Sequence, residues 1–306
     1  MIPSSLPREK VAAGRMRGSF VIVDQLQILP LSPSPHLSPS REREFLIPST
    51  IMGEQQDYYR ENEAYADFLD NWDAGFYAKY ADAVCPAGPD GKVLDVGCGV
   101  GQVVQRLIDA GHEAHGVEVS EPNIAKAKKV SDRCRLYDGR SLPFDDATFD
   151  SAGALNVLEH VEEPEAFITE IVRVVRPGGK VVLSSPNFFR AIGFRDYHPS
   201  MRGLGNKFRN WQRLRAKRRL IATDPGAVRF DRMEPIVREP FQPDDDAIVA
   251  TNGVEIGFFL EKNGCDVLKV ECTDRHVAKP IDFALNLGPW RFLMFNAFVV
   301  AQKRTS

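Results

Sequence analysis

The stretch Lys92-Val-Leu-Asp-Val-Gly-Cys-Gly-Val-Gly-Gln102 decides the fold class of this 306-residue chain. Its first part is a short apolar run rich in β-branched residues, which is typical of a buried strand. Its second part predicts a tight turn, because glycine recurs at Gly97, Gly99 and Gly101. The segment 102–110 then predicts a helix that ends at Gly111. Glycines admit a ligand close to the backbone and a helix N-terminus presents free N–H groups, so the stretch predicts a ligand-binding turn.

A second apolar segment, His115 to Val119, carries an acid near its end. Glu118 occupies a position where a strand-end carboxylate can accept both hydroxyls of a ribose, which indicates an adenosine-bearing ligand. The structural alternative is a solvated acid at the end of a strand. Ser120 follows as a helix N-cap, and Pro122 suits the first turn of that helix.

Beyond the glycine turn the pattern alternates between strand and helix. Such alternation predicts an α/β fold with a parallel sheet built by right-handed crossovers. A helix from Glu165 to Val175 is expected to end at Pro177 and Gly178. The chain finishes with a predicted helix at 254–262, a strand at 266–271 and an apolar run at 292–300. The first five strands are predicted near 93–96, 115–119, 133–137, 149–155 and 180–185.

Five motifs then follow one another in a fixed order. They are the glycine turn, the acid Glu118, the run Asp138-Gly-Arg-Ser-Leu-Pro-Phe144, the segment from Phe149 through Asn156-Val-Leu-Glu-His-Val161, and Arg176-Pro-Gly-Gly-Lys180. In this order they resemble the class I S-adenosylmethionine-dependent methyltransferases, and among them the small-molecule group that includes quinone-biosynthesis and sterol-type enzymes. The resemblance is close over roughly 92–187. It implies a seven-stranded Rossmann-like sheet, mostly parallel with the last strand antiparallel, with helices on both faces and an insertion after strand five.

The resemblance also implies S-adenosyl-L-methionine as the cofactor and assigns residues to its parts. The methionine end is expected at the glycine turn, the ribose at Glu118, the adenine ring beside Val119, the adenine amino edge at the start of the third motif, and the sulfonium above the segment after strand four. Two structural alternatives stay open: Asp95 holding the turn through local backbone bonds, and Val119 as a core residue. The expected cofactor-binding residues are Asp95, Gly97, Gly99, Gly101, Glu118, Val119, Asp138, Gly139, Asn156 and Val157.

A hydroxyl or protonated amine acceptor needs a base near its proton. The candidate catalytic residues are His160, after strand four, and His198, in the insertion. For His160 the alternative is a structural role at a helix start. No metal site is predicted, because His112 and His115 lack a second cluster and the acidic run 244–246 is equally well explained as a charge run.

The insertion, residues 186–249, is far longer than an α/β connection requires, which indicates a functional lid or substrate-binding segment. Apolar side chains interleave with its basic residues at nearly helical steps, predicting a basic amphipathic helix. Three roles stay open: a lid that grips an anionic substrate, a patch that touches anionic membrane, and a solvated face paired with the acids 244–246. The basic residues are Arg202, Lys207, Arg209, Arg213, Arg215, Lys217, Arg218 and Arg219.

Composition limits the domain organisation and the classes of partner that are expected. Residues 1–51 are rich in proline and serine and predict a disordered leader, whereas 52–306 form the predicted methyltransferase domain. The net charge of −3 argues against general nucleic-acid affinity. Five cysteines with no pair two residues apart indicate neither a disulfide framework nor a zinc site. A cytoplasmic location is expected.

The sequence favours a metal-independent methyltransferase that acts on a small-molecule acceptor, with an anionic or lipid-like compound as one option. Peripheral membrane contact through 202–219 is the one macromolecular contact it suggests. Two alternatives stay open. One is an RNA methyltransferase, although no Asn-Pro-Pro-aromatic block follows strand four. The other is a non-catalytic S-adenosylmethionine-binding or membrane-associated module.

Overall fold

The computed structural model of the chain describes residues 69, 74–193, 196, 198–236 and 244–305. The predicted disordered leader, residues 1–51, lies outside the described residues. Seven helices are described, with their bounds as follows: α1 Ala78–Val84, α2 Gln102–Asp109, α3 Glu121–Val130, α4 Pro164–Val174, α5 Gly203–Thr223, α6 Gly253–Lys262 and α7 Lys279–Asn286. None of the described helices is both long enough and apolar enough to cross a membrane.

One mixed sheet organises the described part of the chain. Its strand order is β3-β2-β1-β4-β5-β9-β8, and β9 runs antiparallel to both β5 and β8. This arrangement confirms the predicted seven-stranded sheet with an antiparallel last strand. The strands are β1 Lys92–Val96, β2 Glu113–Glu118, β3 Cys134–Leu136, β4 Phe149–Leu155, β5 Val175–Pro186, β8 Cys265–Glu271 and β9 Asn296–Lys303, while β6 Asp231–Arg232 and β7 Val249–Ala250 form a separate two-stranded ribbon.

Helices cover both faces of the sheet. On one face α4 and α6 contribute Ile168, Ile171 and Phe259 to the larger core cluster. On the other, α1 and α2 contribute Tyr80 and Val104 to the second cluster. Burial of one large apolar side chain contributes about 1.5–3 kcal/mol, so both layers of helix are held mainly by these contacts.

Two element boundaries differ from those predicted. The helix expected to end near Pro177 ends at Val174, and β5 begins directly at Val175. Phe149 pairs with Val175 but Ser151 pairs with Lys180, so the Pro-Gly-Gly segment is an irregularity within the strand instead of a helix end. The last strand is 296–303 instead of 292–300, because Pro289–Leu293 forms a short 3-10 helix before it.

The insertion after β5 contains the predicted basic helix, α5. Leu214 of α5 is buried against Phe188 and Phe189, which directly follow β5. The amphipathic prediction holds only in part, since three apolar residues on the N-terminal half of α5 face solvent. Their exposed fractions are 87% for Leu204, 57% for Phe208 and 36% for Trp211.

Candidate functional site

The glycine turn joins β1 to α2 at the carboxyl edge of the sheet. The N–H groups of Gly97 and Cys98 donate to the Val117 carbonyl at 2.8 and 3.0 Å, which ties the turn to β2. Gly97, Gly99 and Gly101 all have positive φ, of 75°, 53° and 91°. A Cβ at position 97 would clash with the side chain of Val157, so the turn packs against the segment that follows β4. Only glycine suits this combination of backbone geometry and close approach.

Glu118 is held against the same turn. Its Oε2 accepts from the N–H of Gly99 at 2.9 Å, and its Oε1 accepts from the N–H groups of Val119 and Ser120 at 2.8 and 3.1 Å. Burial raises the pKa of Glu118, and the three N–H donors act in the opposite direction. A carboxylate offers about four acceptor positions, so these donors leave capacity for a ligand hydroxyl.

Asp95, at the end of β1, is buried beside Glu118. Its Oδ1 accepts from the Tyr80 hydroxyl at 3.0 Å, a contact that the sequence did not suggest. Burial raises the pKa of Asp95 to about 7, and the nearby charge of Glu118 adds to that effect. Two acids that disfavour each other's ionisation create a negative environment, which a cationic ligand would relieve.

Asn156 provides an unused acceptor near the turn. It follows β4 with a φ of 52°, and its N–H donates to the Ser184 carbonyl at 2.8 Å. Its side-chain oxygen is buried and receives no hydrogen bond from the described residues. A buried oxygen in that state costs about 1–3 kcal/mol, which an amino or hydroxyl group of a ligand would offset. The adjacent Val157 is the residue that contacts Gly97.

The residues expected at the adenine ring lie together at the ends of β2 and β3. A Cβ at Gly139 would lie 3.3 Å from Cγ1 of Val119, and Val119 is half-buried instead of fully in the core. Asp138 is exposed, and its Oδ1 accepts from the N–H groups of Arg140 and Ser141 at 2.8 and 3.0 Å. These bonds lower the pKa of Asp138. They stabilise a turn and leave Oδ2 of Asp138 available to a ligand.

The two histidines proposed as bases have different surroundings. His198 is buried, and its Nδ1 accepts from the N–H of Ser200 at 3.2 Å and lies 2.7 Å from that residue's Oγ. This contact caps the 3-10 helix Pro199–Met201 and gives His198 a structural role. His160 follows β4, with its Nδ1 2.9 Å from Oδ2 of Asp246. Catalysis by either residue stays a prediction.

The distance between His160 and Asp246 suits an ion pair, but burial acts against both charges. It lowers the pKa of His160 to about 4 and raises that of Asp246 to about 7. Burial is the larger effect for both groups, and it shifts each of them toward its neutral form. The imidazole is therefore neutral at physiological pH.

No sequence pattern indicates that the acidic run 244–246 meets the segment after β4. The Ile248 N–H donates to the Glu159 carbonyl at 2.9 Å, which brings the two segments together. One potential ligand atom from each of Glu159, His160 and Asp244 lies within 4.8 Å of the others. The predicted absence of a metal site stays a prediction.

The arrangement fits an S-adenosylmethionine-like ligand. The glycine turn presents backbone with positive φ and no Cβ, Glu118 has capacity for one ribose hydroxyl, and Asn156 supplies a vacant acceptor. The pair Asp95 and Glu118 suits its positive charge. All four features occupy the carboxyl edge, where ligands of open α/β sheets bind.

Comparison with known proteins supports the same identification. The family described as "Methyltransferase domain" matches residues 94–183. The chain is 36% identical over 99 residues to the sterol 4-C-methyltransferase strm-1 of Caenorhabditis elegans, covering 29% of each protein. It is 28% identical over 146 residues to the ubiquinone biosynthesis O-methyltransferase of Idiomarina loihiensis, covering 44% of this chain and 54% of that one. The chain thus spans about half or less of the length of these relatives.

The fold recurs in a solved structure. The S-adenosylmethionine-dependent methyltransferase from Mesorhizobium loti superposes with a TM-score of 0.52 at 16% identity, over 77% of this chain and 100% of that one. The family match spans β1 to β5 and so contains the glycine turn, Glu118 and Asn156. Residues 94–183 thus match the methyltransferase-domain family, the sheet has the fold of an S-adenosylmethionine-dependent methyltransferase, and the site geometry fits S-adenosyl-L-methionine as the cofactor.

Proposed function

We propose that the protein transfers the methyl group of S-adenosylmethionine to a small-molecule acceptor. The observation that carries this proposal is the contact between Glu118 and the Gly99 N–H, because it joins a ribose-suited carboxylate to a turn open to the methionine chain. The cofactor supplies a methyl group on a cationic sulfur. The described residues then have three tasks: binding, orientation and exclusion of water, which together account for much of the acceleration in such a displacement.

Orientation follows from residues already fixed by backbone contacts. Three N–H donors hold Glu118, and Val157 holds Gly97, so neither side of the site needs to rearrange on binding. Asn156 directly precedes Val157, and its buried side-chain oxygen is ready to accept a hydrogen bond. Preorganisation of this kind reduces the entropy that binding would otherwise cost.

We further propose a lipid-like acceptor. Two relatives are named for ubiquinone biosynthesis and sterol methylation, which supports an apolar substrate class. The segment leaving β5 carries α5, so this helix is anchored at the same edge of the sheet as the glycine turn. Asn210 of α5 donates to the Arg190 carbonyl at 3.0 Å, and Arg218 stacks on Phe292 at 4.7 Å.

The exposed side of α5 suits an anionic lipid surface. Leu204, Phe208 and Trp211 are spaced by four and three residues and therefore share a face. Three other basic residues of the helix form ion pairs: Lys207 with Asp196, Arg213 with Asp231, and Lys217 with both Asp231 and Glu255. Within the described part of the chain, the four remaining arginines of the helix that face solvent, Arg209, Arg215, Arg218 and Arg219, form no ion pair with a carboxylate. Apolar anchors flanked by such charges bind the interface of anionic bilayers.

Calorimetry with S-adenosylmethionine and with S-adenosylhomocysteine tests cofactor binding. Wild-type protein is expected to bind both, and Gly99→Arg is expected to bind neither, because a long side chain would fill the turn. Gly88→Arg is the control, since position 88 has no atom within 4 Å of an added Cβ and lies outside the turn. Absence of binding by the wild type would refute the proposal.

Transfer is tested by incubating the protein with methyl-labelled S-adenosylmethionine and a cell extract, followed by separation of lipid, water-soluble and RNA fractions. Label in the lipid fraction supports the lipid-like acceptor, and label in the water-soluble fraction supports only the broader proposal. Label confined to RNA contradicts both. Binding without any transfer would indicate a non-catalytic module.

Co-sedimentation with vesicles tests the surface of α5. The wild type is expected to co-sediment with phosphatidylglycerol vesicles but not with phosphatidylcholine vesicles. The double variant Leu204→Ser and Phe208→Ser should not co-sediment. The control is Leu268→Ser, which changes a similarly exposed leucine on β8 and should co-sediment like the wild type. Equal loss in both variants would argue against a specific surface.

A further inference from the structure

We propose that Glu159, His160 and Asp244 form a binding site for one divalent cation beside the cofactor site. Glu159 and His160 belong to the 3-10 turn Leu158–His160 after β4, and Asp244 belongs to the turn that precedes β7. One potential ligand atom from each lies within 4.8 Å of the other two. Octahedral coordination at about 2.1 Å from a central ion places ligand atoms about 3.0–4.2 Å apart, so the cluster matches it in scale.

Glu159 is the strongest reason for the proposal. It is 0% exposed, and its Oε2 accepts from Ser185 Oγ at 2.7 Å. Its Oε1 is equally buried and receives no hydrogen bond from the described residues. His160 Nε2 lies 3.8 Å from this oxygen, which is too far for a hydrogen bond. A buried carboxylate oxygen in this state is stabilised either by a cation or by a proton.

A second acid adds negative charge beside Glu159. Asp244 places a second carboxylate oxygen within 4.8 Å of a carboxylate oxygen of Glu159. The two acids therefore repel each other across the cluster. A bound cation would convert the repulsion into attraction to a common centre.

The orientation of His160 fits a metal ligand. Its Nδ1 faces Asp246 at 2.9 Å, which directs Nε2 toward Glu159. A carboxylate that faces the non-coordinating nitrogen is the usual means by which proteins orient a metal-binding histidine. Ser185 has the same effect on Glu159, because its bond to Oε2 leaves Oε1 for the ion. Two of the three proposed ligands, His160 and Glu159, are thus each oriented by a neighbouring side chain.

The donor set indicates which cations are suitable. Two carboxylates and one imidazole favour divalent ions such as Mn²⁺, Mg²⁺ or Zn²⁺, and the absence of a thiolate among the three disfavours soft ions such as Cu⁺. Three protein ligands leave positions open on a six-coordinate ion. Since Asn156 lies three residues before Glu159, an acceptor oxygen could occupy such a position if the proposed methyl transfer is correct. Only this last step rests on the proposed function.

Manganese titration of the full chain, after treatment with EDTA and without cofactor, tests the site. Electron paramagnetic resonance is expected to show one Mn²⁺ bound per chain. Glu159→Gln and Asp244→Asn should each weaken binding by at least about tenfold. Glu163→Gln is the matched control, because this nearby acid is exposed and outside the cluster, and it should bind Mn²⁺ like the wild type.

Circular dichroism establishes whether Glu159→Gln is folded, and its melting temperature without metal is expected to equal or exceed that of the wild type. Added Mn²⁺ should raise the melting temperature of the wild type alone. Failure of the wild type to bind Mn²⁺, or equal binding by Glu159→Gln, would overturn the proposal and indicate that the acids share a proton instead. Cofactor binding by the EDTA-treated wild type reports separately on the proposed function.

Discussion

The carboxylate of Glu118 accepts a hydrogen bond from the backbone N–H of Gly99 at 2.9 Å, so the acid that ends β2 also fixes the turn that follows β1. Glu118→Gln should lower the affinity for S-adenosylhomocysteine by at least about tenfold. An amide has one oxygen instead of two, and its NH2 group would face an N–H donor, at a cost of about 1.5–3 kcal/mol. Calorimetry measures the change, and Glu121→Gln, an exposed acid in α3, serves as the control. Unchanged affinity would mean that the carboxylate does not contribute to the site.

Gly97→Ala should reduce the free energy of unfolding more than Gly111→Ala. Both positions have positive φ, of 75° and 87°, so both changes introduce about 1–2 kcal/mol of backbone strain. Only at position 97 would the new Cβ also clash, with Val157, while position 111 has no atom within 4 Å. Such overpacking adds about 1–3 kcal/mol. Urea unfolding measures both effects.

The Val157→Ala change provides a second test of that clash. Combined with Gly97→Ala it should recover part of the lost stability, since the smaller side chain makes room for the Cβ. A double mutant in which the two losses simply add would contradict the proposed contact.

Asp95 should make the stability of the protein depend on pH. Its pKa of about 7 in the folded state exceeds its usual value of 3.8, so the folded state binds the proton more tightly. The stabilisation is complete below about pH 4, is lost as the pH rises to about 7, and is constant above that. Asp95→Asn is neutral throughout and keeps an oxygen for the Tyr80 hydroxyl. The variant's stability relative to wild type should therefore increase between about pH 5 and pH 7, as measured by urea unfolding.

An exposed acid gives the comparison for that experiment. Asp132→Asn, at the surface before β3, should leave the pH dependence of the wild type unchanged. If Asp95→Asn also has no effect on the slope, the Asp95 carboxyl is not protonated at neutral pH in the folded state.

Lys217→Met should destabilise the protein by about 3 kcal/mol. Lys217 lies 2.7 Å from Glu255, whose side chain is 0% exposed, and 2.7 Å from Asp231. Removal of the lysine leaves a buried acid without its cation. Arg219→Met, an exposed change on the same helix, should cost at most about 0.5 kcal/mol. Adding Glu255→Gln to Lys217→Met should restore part of the loss, and chemical denaturation measures each variant.

The sheet and the glycine turn were predictable because their signals are local. The strand-turn-helix pattern around Gly97 and the capping Ser120 depend on residues close in sequence, and the structure has both. The start of β5 was predicted wrongly, because Val175 joins the sheet through its pairing with Phe149, a contact between distant residues. No local pattern reports such pairing.

The surroundings of the site were harder to predict for the same reason. The contact of His160 with Asp246 and that of Asp95 with Tyr80 join separate segments. The cap that His198 provides is local, but a histidine is an uncommon cap and gives no recognisable signal. Sequence patterns therefore indicated which residues matter more reliably than what each of them contacts.

The position of β9 has a consequence for biosynthesis. This strand lies between β5 and β8, although both are translated before it. Until residues 296–303 leave the ribosome, both β8 and the outer edge of β5 lack the strand that pairs with them. Unpaired strand edges promote aggregation. Nascent chains of this protein should therefore depend on chaperones until the last strand is available.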